Sequence, residues 1–198
     1  MARTVEFLFD VGSPYTWIAA LALPGVAART GATIEWVPML LGGVFKATGN
    51  HSPAEIPAKG RWTRIDLERQ AAKHGAAYTP NPHFPVNTLA LMRIATGLVL
   101  RRPQDLARYL DAVFHAMWVV PRNLNEPAEV GALLTAAGFD PADLMALAND
   151  PEVKERLKAN TERAVARGVF GAPSFLVGDE LYWGQDRLGD VEAALTRG

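Results

Sequence analysis

Apolar and polar positions alternate over Thr4–Phe9, where Val5, Phe7 and Phe9 are interleaved with Thr4, Glu6 and the less polar Leu8. A period of two predicts a strand. The turn residues Asp10-Val11-Gly12-Ser13-Pro14 follow. Ser directly before Pro predicts an N-cap and a first helical position, and Tyr15 to Arg29 then reads as an Ala- and Leu-rich helix. Pro24 lies inside that segment, so a kink or break is expected there. After Gly31, Thr33–Pro38 reads as a second strand, with Ile34, Trp36 and the following Met39 as apolar markers. Strand, helix and strand with a crossover of this length predict parallel pairing.

The pattern then changes. From Leu40 to His83 the chain is punctuated by Gly42, Gly43, Gly49, Pro53, Pro57 and Gly60 and reads as irregular at first, with a helix from about Trp62 to His74. Tyr78 to Pro85 carries three prolines and reads as an ordered extended loop. Helical periodicity dominates afterwards, over Asn87–Thr96, Pro103–Val119, Glu126–Ala137, Pro141–Ala148 and Pro151–Arg167. Start signals such as Asp140-Pro141 and Asp150-Pro151 support several of these. Short apolar strands return at Ser174–Val177 and Glu180–Trp183, joined by Gly178-Asp179 as a hairpin. A last helix runs from about Arg187 to Leu195. The expected architecture is α/β, a β-α-β unit and a β-β-α unit around an all-helical insertion. The discontinuous outer unit is expected over 1–39 and 170–198, and the insertion over 40–169.

Composition narrows the chemistry. The 198 residues include no cysteine. That excludes a disulfide framework, a Cys-x-x-Cys redox pair, thiolate-bound metal clusters and any thiol nucleophile of the protein's own. Hydrophobic positions at 49% and charged ones at 21% describe a globular chain. A net charge of -1 provides no global field for nucleic acid, so no nucleic-acid partner is expected. The first residues lack a basic start followed by an apolar run, and the apolar stretches fall short of a membrane span, so a cytoplasmic protein without a membrane partner is expected. His51, His74, His83 and His115 are scattered and form no ligand motif, so no metal is expected.

Two positions stand out. Ser13 follows a strand and opens a helix, where unpaired N–H groups and the helix dipole suit an anion; the same residue also serves as an ordinary N-cap. Gly171-Ala172-Pro173-Ser174 places a proline at the entrance of a strand. A cis bond there would leave the backbone of Ala172 open to an extended ligand; a trans bond would simply start an edge strand. Asp10 reads as a residue that caps or orients the turn. Lys59, between Pro57 and Gly60, can meet an anionic group or stay solvated. Trp62, Trp118 and Trp183 are expected to be at least partly buried, Trp118 as core or pocket wall.

In their order and spacing, several segments together resemble the thioredoxin-fold proteins of the DsbA superfamily, and more closely the 2-hydroxychromene-2-carboxylate isomerases and kappa-class glutathione transferases. These segments are Phe9-Asp10-Val11-Gly12-Ser13-Pro14-Tyr15, Thr48-Gly49-Asn50, Lys59-Gly60-Arg61, His83-Phe84-Pro85, Ala164 to Pro173 and Trp183-Gly184-Gln185-Asp186-Arg187. The resemblance implies a thioredoxin-like fold with a large helical insertion, and glutathione as cofactor. It places Ser13 where related oxidoreductases carry the reactive cysteine, its hydroxyl donating to the glutathione sulfur. It further implies Lys59 against the glycyl carboxylate, the backbone of Ala172 before a cis Pro173 against the cysteinyl portion, and Asp186 with Gln185 at the γ-glutamyl end. Asn50 is implied as a catalytic partner of the substrate, and Trp62, Phe84 and Trp118 as pocket walls. The implied reaction is isomerisation of a small aromatic carboxylate by reversible thiolate addition, with conjugation of glutathione to an electrophile as the alternative, in a homodimer.

Overall fold

The structure, a computed structural model, describes residues 3–197. Strand β1 (Thr4–Phe9) pairs in parallel with β2 (Thr33–Pro38), register Phe7 opposite Trp36. Helix α1 (Pro14–Thr30) makes the crossover. Strand β3 (Ser174–Val177) lies antiparallel to β1, and β4 (Glu180–Trp183) antiparallel to β3, giving the order β2-β1-β3-β4. Both strand pairs fall where the alternating pattern predicts them.

The central strand is covered on both faces, which explains why Leu8 interrupts the polar positions. Val5, Phe7 and Phe9 point into the main core, where Phe7 stacks on Phe9 at 5.6 Å and on Phe175 at 5.3 Å. Leu8 points the other way, into a smaller cluster with Val37, Met39, Val44, Ala164, Val169 and Leu176. Burying each large apolar side chain stabilises the fold by about 1.5–3 kcal/mol.

Helices supply the rest: α2 (Leu41–Thr48), α3 (Pro57–Lys73), α4 (Leu89–Arg101), α5 (Pro103–Trp118), α6 (Pro127–Ala136), α7 (Pro141–Asn149), α8 (Pro151–Ala166) and α9 (Leu188–Thr196). Helix α2 occupies a stretch that reads as irregular. Gly42 and Gly43 lower its intrinsic propensity by about 1 kcal/mol each, yet Val44 is fully buried on the second sheet face. A Cβ at Gly43 would stand 3.1 Å from Thr161 Cγ2, so packing against α8 favours the small residue. Helix α1 continues through Pro24 rather than breaking. Pro24 lies on the exposed side, where water can satisfy the carbonyl that loses its partner. Helix α3 begins five residues before Trp62, at a proline that suits a first turn. Among the described residues no single helix is long and apolar enough to cross a membrane.

Candidate active site

Strand β1 ends where Asp10 turns its carboxylate back onto the chain. Oδ1 accepts from the Gly12 N–H at 2.9 Å; Oδ2 accepts from the Leu41 N–H at 2.8 Å and from the Thr88 hydroxyl at 3.1 Å. One buried carboxylate therefore ties the end of β1 to the first residue of α2 and to the residue before α4. Burial pushes the carboxyl above its ordinary value, while the three hydrogen bonds pull it down. Trp118, only 2% exposed, supports the same turn by donating its Nε1–H to the Val11 carbonyl at 3.1 Å.

Ser13 closes the turn and caps α1. Its Oγ accepts the Thr16 N–H at 3.2 Å and donates to the Ala172 carbonyl at 3.0 Å. The Ala172-Pro173 peptide bond is cis. The Ala172 N–H makes no hydrogen bond among the described residues. Ala172 thus offers one free N–H and one carbonyl held by a side chain, a pair able to take an extended peptide segment. This pair faces the N-terminus of a 17-residue helix, whose dipole and first N–H groups favour negative charge.

Asp186 joins this cleft through the backbone. The Gly184 N–H donates to the Pro173 carbonyl at 3.0 Å. Gly184 has φ +103°, and a Cβ there would stand 2.5 Å from Asp186 Oδ1, so the carboxylate folds back against the turn that follows the hairpin. Tyr15 lies close enough to feel the Asp186 charge, and it donates its phenol to Asp66 of α3 at 2.8 Å. Burial first, and the Asp66 carboxylate next, hold this phenol well above its ordinary value. The Tyr15–Asp66 bond docks α3 on α1. Lys59 precedes Asp66 by seven residues, on the same helix face and about 10 Å along the axis. It is exposed; nearby Arg64 pairs with Glu68, whereas Lys59 makes no salt bridge among the described residues.

Asn50 holds the other flank. Its Nδ2–H donates to the Phe170 carbonyl at 2.8 Å, and its Oδ1 accepts the His51 N–H at 2.9 Å. Phe170 and Trp183 tilt together at 4.8 Å, and Gly171 passes beneath the indole: a Cβ there would stand 2.6 Å from Trp183 Nε1.

Ser13, Ala172 and Pro173 therefore meet directly, Asp186 is linked through Gly184, Lys59 through Tyr15–Asp66, and Asn50 through Phe170. Gln185 is half-buried beside Asp186. Phe84 leans on Trp118 at 6.1 Å, but Trp118 itself lies under the Val11 turn. Trp62 and Trp183, expected to be at least partly buried, stand 58% and 48% exposed. The sequence reading missed Asp66 and Thr88, whose roles depend on partners far along the chain, and carried Phe170 only as part of the Ala164 to Pro173 segment. Tyr15 carried a signal, since it follows the Ser-Pro pair directly. A separate cavity of about 820 Å³ opens between α2, α4 and α8, lined by residues such as Leu40, Leu89, Arg93 and Leu157. None of the candidate catalytic, cofactor-binding or pocket-wall residues borders it. Among the described residues, no three His, Asp or Glu side chains gather as a metal site.

A family model described as the DSBA-like thioredoxin domain matches residues 4–196. The 2-hydroxychromene-2-carboxylate isomerase of Sphingobium xenophagum is 30% identical over 197 residues, covering 98% of this chain and 99% of its own. Human glutathione S-transferase kappa 1 is 29% identical over 185 residues, covering 87% and 80%. A solved structure of a 2-hydroxychromene-2-carboxylate isomerase superposes with a TM-score of 0.83 at 27% identity, covering 98% of this chain and 95% of that one.

Proposed function

Because the chain belongs to the DSBA-like thioredoxin-domain family, we propose that it is a glutathione-dependent isomerase of 2-hydroxychromene-2-carboxylate or a similar unsaturated aromatic carboxylate. The observation that carries this reading is the Ser13 hydroxyl on the Ala172 carbonyl, beside a free Ala172 N–H, in a chain with no thiol of its own. Two relatives with the isomerase name and similar length, 30% and 31% identical, support the substrate class.

The residues fit a tripeptide thiol. Ala172 offers an N–H and a carbonyl for its backbone, Ser13 and the α1 N-terminus suit an anionic sulfur, Lys59 an end carboxylate and Asp186, with Gln185, an ammonium. Bound glutathione would supply a thiolate for reversible conjugate addition, which, with opening of the substrate's ring, would leave a single bond free to rotate before elimination returns the thiolate.

The protein's own groups have three tasks. Ser13 exchanges its Ala172 carbonyl for the sulfur and stabilises charge on it, because the ligand backbone claims that same carbonyl. Asn50 retains one unused N–H to orient the substrate, with Phe84 and Trp62 as exposed apolar walls and Trp118 holding Phe84 and the Val11 turn in place. Asp10 keeps the turn rigid and lies beneath it, away from solvent. In this reading the thioredoxin-like domain spans 1–39 and 170–198 and the inserted helical domain 40–169, with Lys59 reaching glutathione from the insertion, in a cytoplasmic homodimer.

The second reading is a kappa-like transferase, supported by the 29% identity to the human kappa enzyme. A product assay separates the two. Chromene isomerisation that requires glutathione and returns it unconsumed establishes the isomerase; a stable conjugate establishes the transferase. Isomerisation at the same rate without glutathione would overturn both.

A further inference from the structure

We propose that Thr16 is a positioning residue for Ser13, its buried hydroxyl donating to the Ser13 oxygen once that residue turns its own proton to the ligand sulfur. The inference rests on the glutathione reading above.

Thr16 is 0% exposed, and its Oγ1 has no hydrogen-bond partner among the described residues. The other buried side-chain atom in that condition, Glu6 Oε2, lies 2.6 Å from the Arg163 guanidinium, so Thr16 alone lacks even a charge partner. Six other helical threonines, Thr30, Thr48, Thr96, Thr135, Thr161 and Thr196, each donate to the carbonyl four residues earlier; Thr63 of α3 makes no such bond but is only half-buried.

The reason for the exception is local. Helix α1 begins at Pro14 with Ser13 as its cap, so the carbonyl four residues before Thr16 belongs to Gly12, outside the helix. The Ser13 carbonyl already accepts the Thr16 N–H at 3.0 Å and the Trp17 N–H at 3.3 Å. A buried hydroxyl without a partner is destabilising, and such a group in a folded protein calls for an explanation.

Thr16 stands at the third helical position, whose side chain tilts toward the helix start and reaches the cap residue. The usual target there, the cap N–H, is taken: Ser13 N–H donates to the Asp10 carbonyl at 3.1 Å. Ser13 Oγ lies beside it, since it already receives the Thr16 N–H at 3.2 Å. In the structure the Ser13 proton rests on Ala172. A ligand backbone on Ala172 displaces it, the Ser13 oxygen reorients, and Thr16 Oγ1–H then donates to it. Each link in such a chain strengthens the next by about 10–30%. No proton changes owner; both hydroxyls remain neutral donors.

The test is an ultraviolet titration of the thiolate in the glutathione complex, run on the intact chain and on Thr16→Val, Thr16→Ala and Thr16→Ser, alongside thermal melts. Loss of the hydroxyl in Val or Ala is expected to leave about threefold to tenfold less bound thiolate at a given pH below its midpoint, with Ser restoring it. Melting of Thr16→Val is expected unchanged or raised, because the orphaned group is gone. A folded Val or Ala variant with the intact chain's titration midpoint would overturn the role of Thr16 while leaving the glutathione reading standing. Absence of any glutathione-dependent thiolate band in the intact chain would overturn both.

Discussion

The Ser13 hydroxyl donates to the Ala172 carbonyl at 3.0 Å, across 159 positions of sequence. The same oxygen caps α1, so removing it has two separable effects. Ser13→Ala loses the cap and is expected to cost about 0.5–2 kcal/mol, whereas Ser13→Gly costs only a few tenths. Both variants lose the donor for a thiolate, and both are expected to lower turnover by roughly 10²–10³-fold. Melting temperature and kcat for the pair check this: turnover that follows stability, with Gly near normal, would assign Ser13 to capping alone.

Lys59 offers an exposed cation from the first turn of α3. Lys59→Gln is expected to weaken glutathione binding about tenfold. Calorimetric titration at two salt concentrations checks it, because the intact chain should lose affinity with salt and the variant much less.

Gly184 sits at φ +103° against the Asp186 carboxylate. Gly184→Ala combines an unfavourable backbone with a Cβ 2.5 Å from Asp186 Oδ1. The expected cost is about 1–3 kcal/mol, together with weaker glutathione binding from a displaced Asp186. Asp186→Asn should weaken binding without the stability loss, and melts beside titrations of the two variants separate the effects.

Asp10 makes acid behaviour informative. Its folded value lies above that of the unfolded chain because burial disfavours the charge. The stability it contributes is therefore fully present below the unfolded value and is lost as pH rises through the folded one. The penalty of Asp10→Asn is expected to be larger in mildly acidic solution than at neutral pH. Denaturant melts of both chains across that range measure the difference; a penalty that shrinks on acidification would contradict it.

These residues also show what a sequence can and cannot disclose. The strands were legible because their alternation is local: β1, β2 and the β3–β4 hairpin fall where Val5, Phe7, Phe9 and the Gly178 turn indicate. Ser13 was legible as a cap from the proline beside it. Helix α2 was not, because its two glycines argue against a helix and only the distant Thr161 explains them. The Asp10 hub was half legible: its bond to Gly12 is a turn that sequence suggests, while those to Leu41 and Thr88 are tertiary. Trp62 and Trp183 read as at least partly buried by residue type, and they stand about half exposed because exposure is decided by how far a neighbouring element covers them.

The sheet places β1 beside β3, which the chain reaches only after all the helices of the middle segment. Closing so large a loop is entropically costly and slows folding. During synthesis, Ser13 leaves the ribosome long before Ala172 exists to accept its hydroxyl. Competence for the ligand therefore arrives late and abruptly, and a nascent chain halted anywhere before residue 172 carries the Ser13 helix but no cleft.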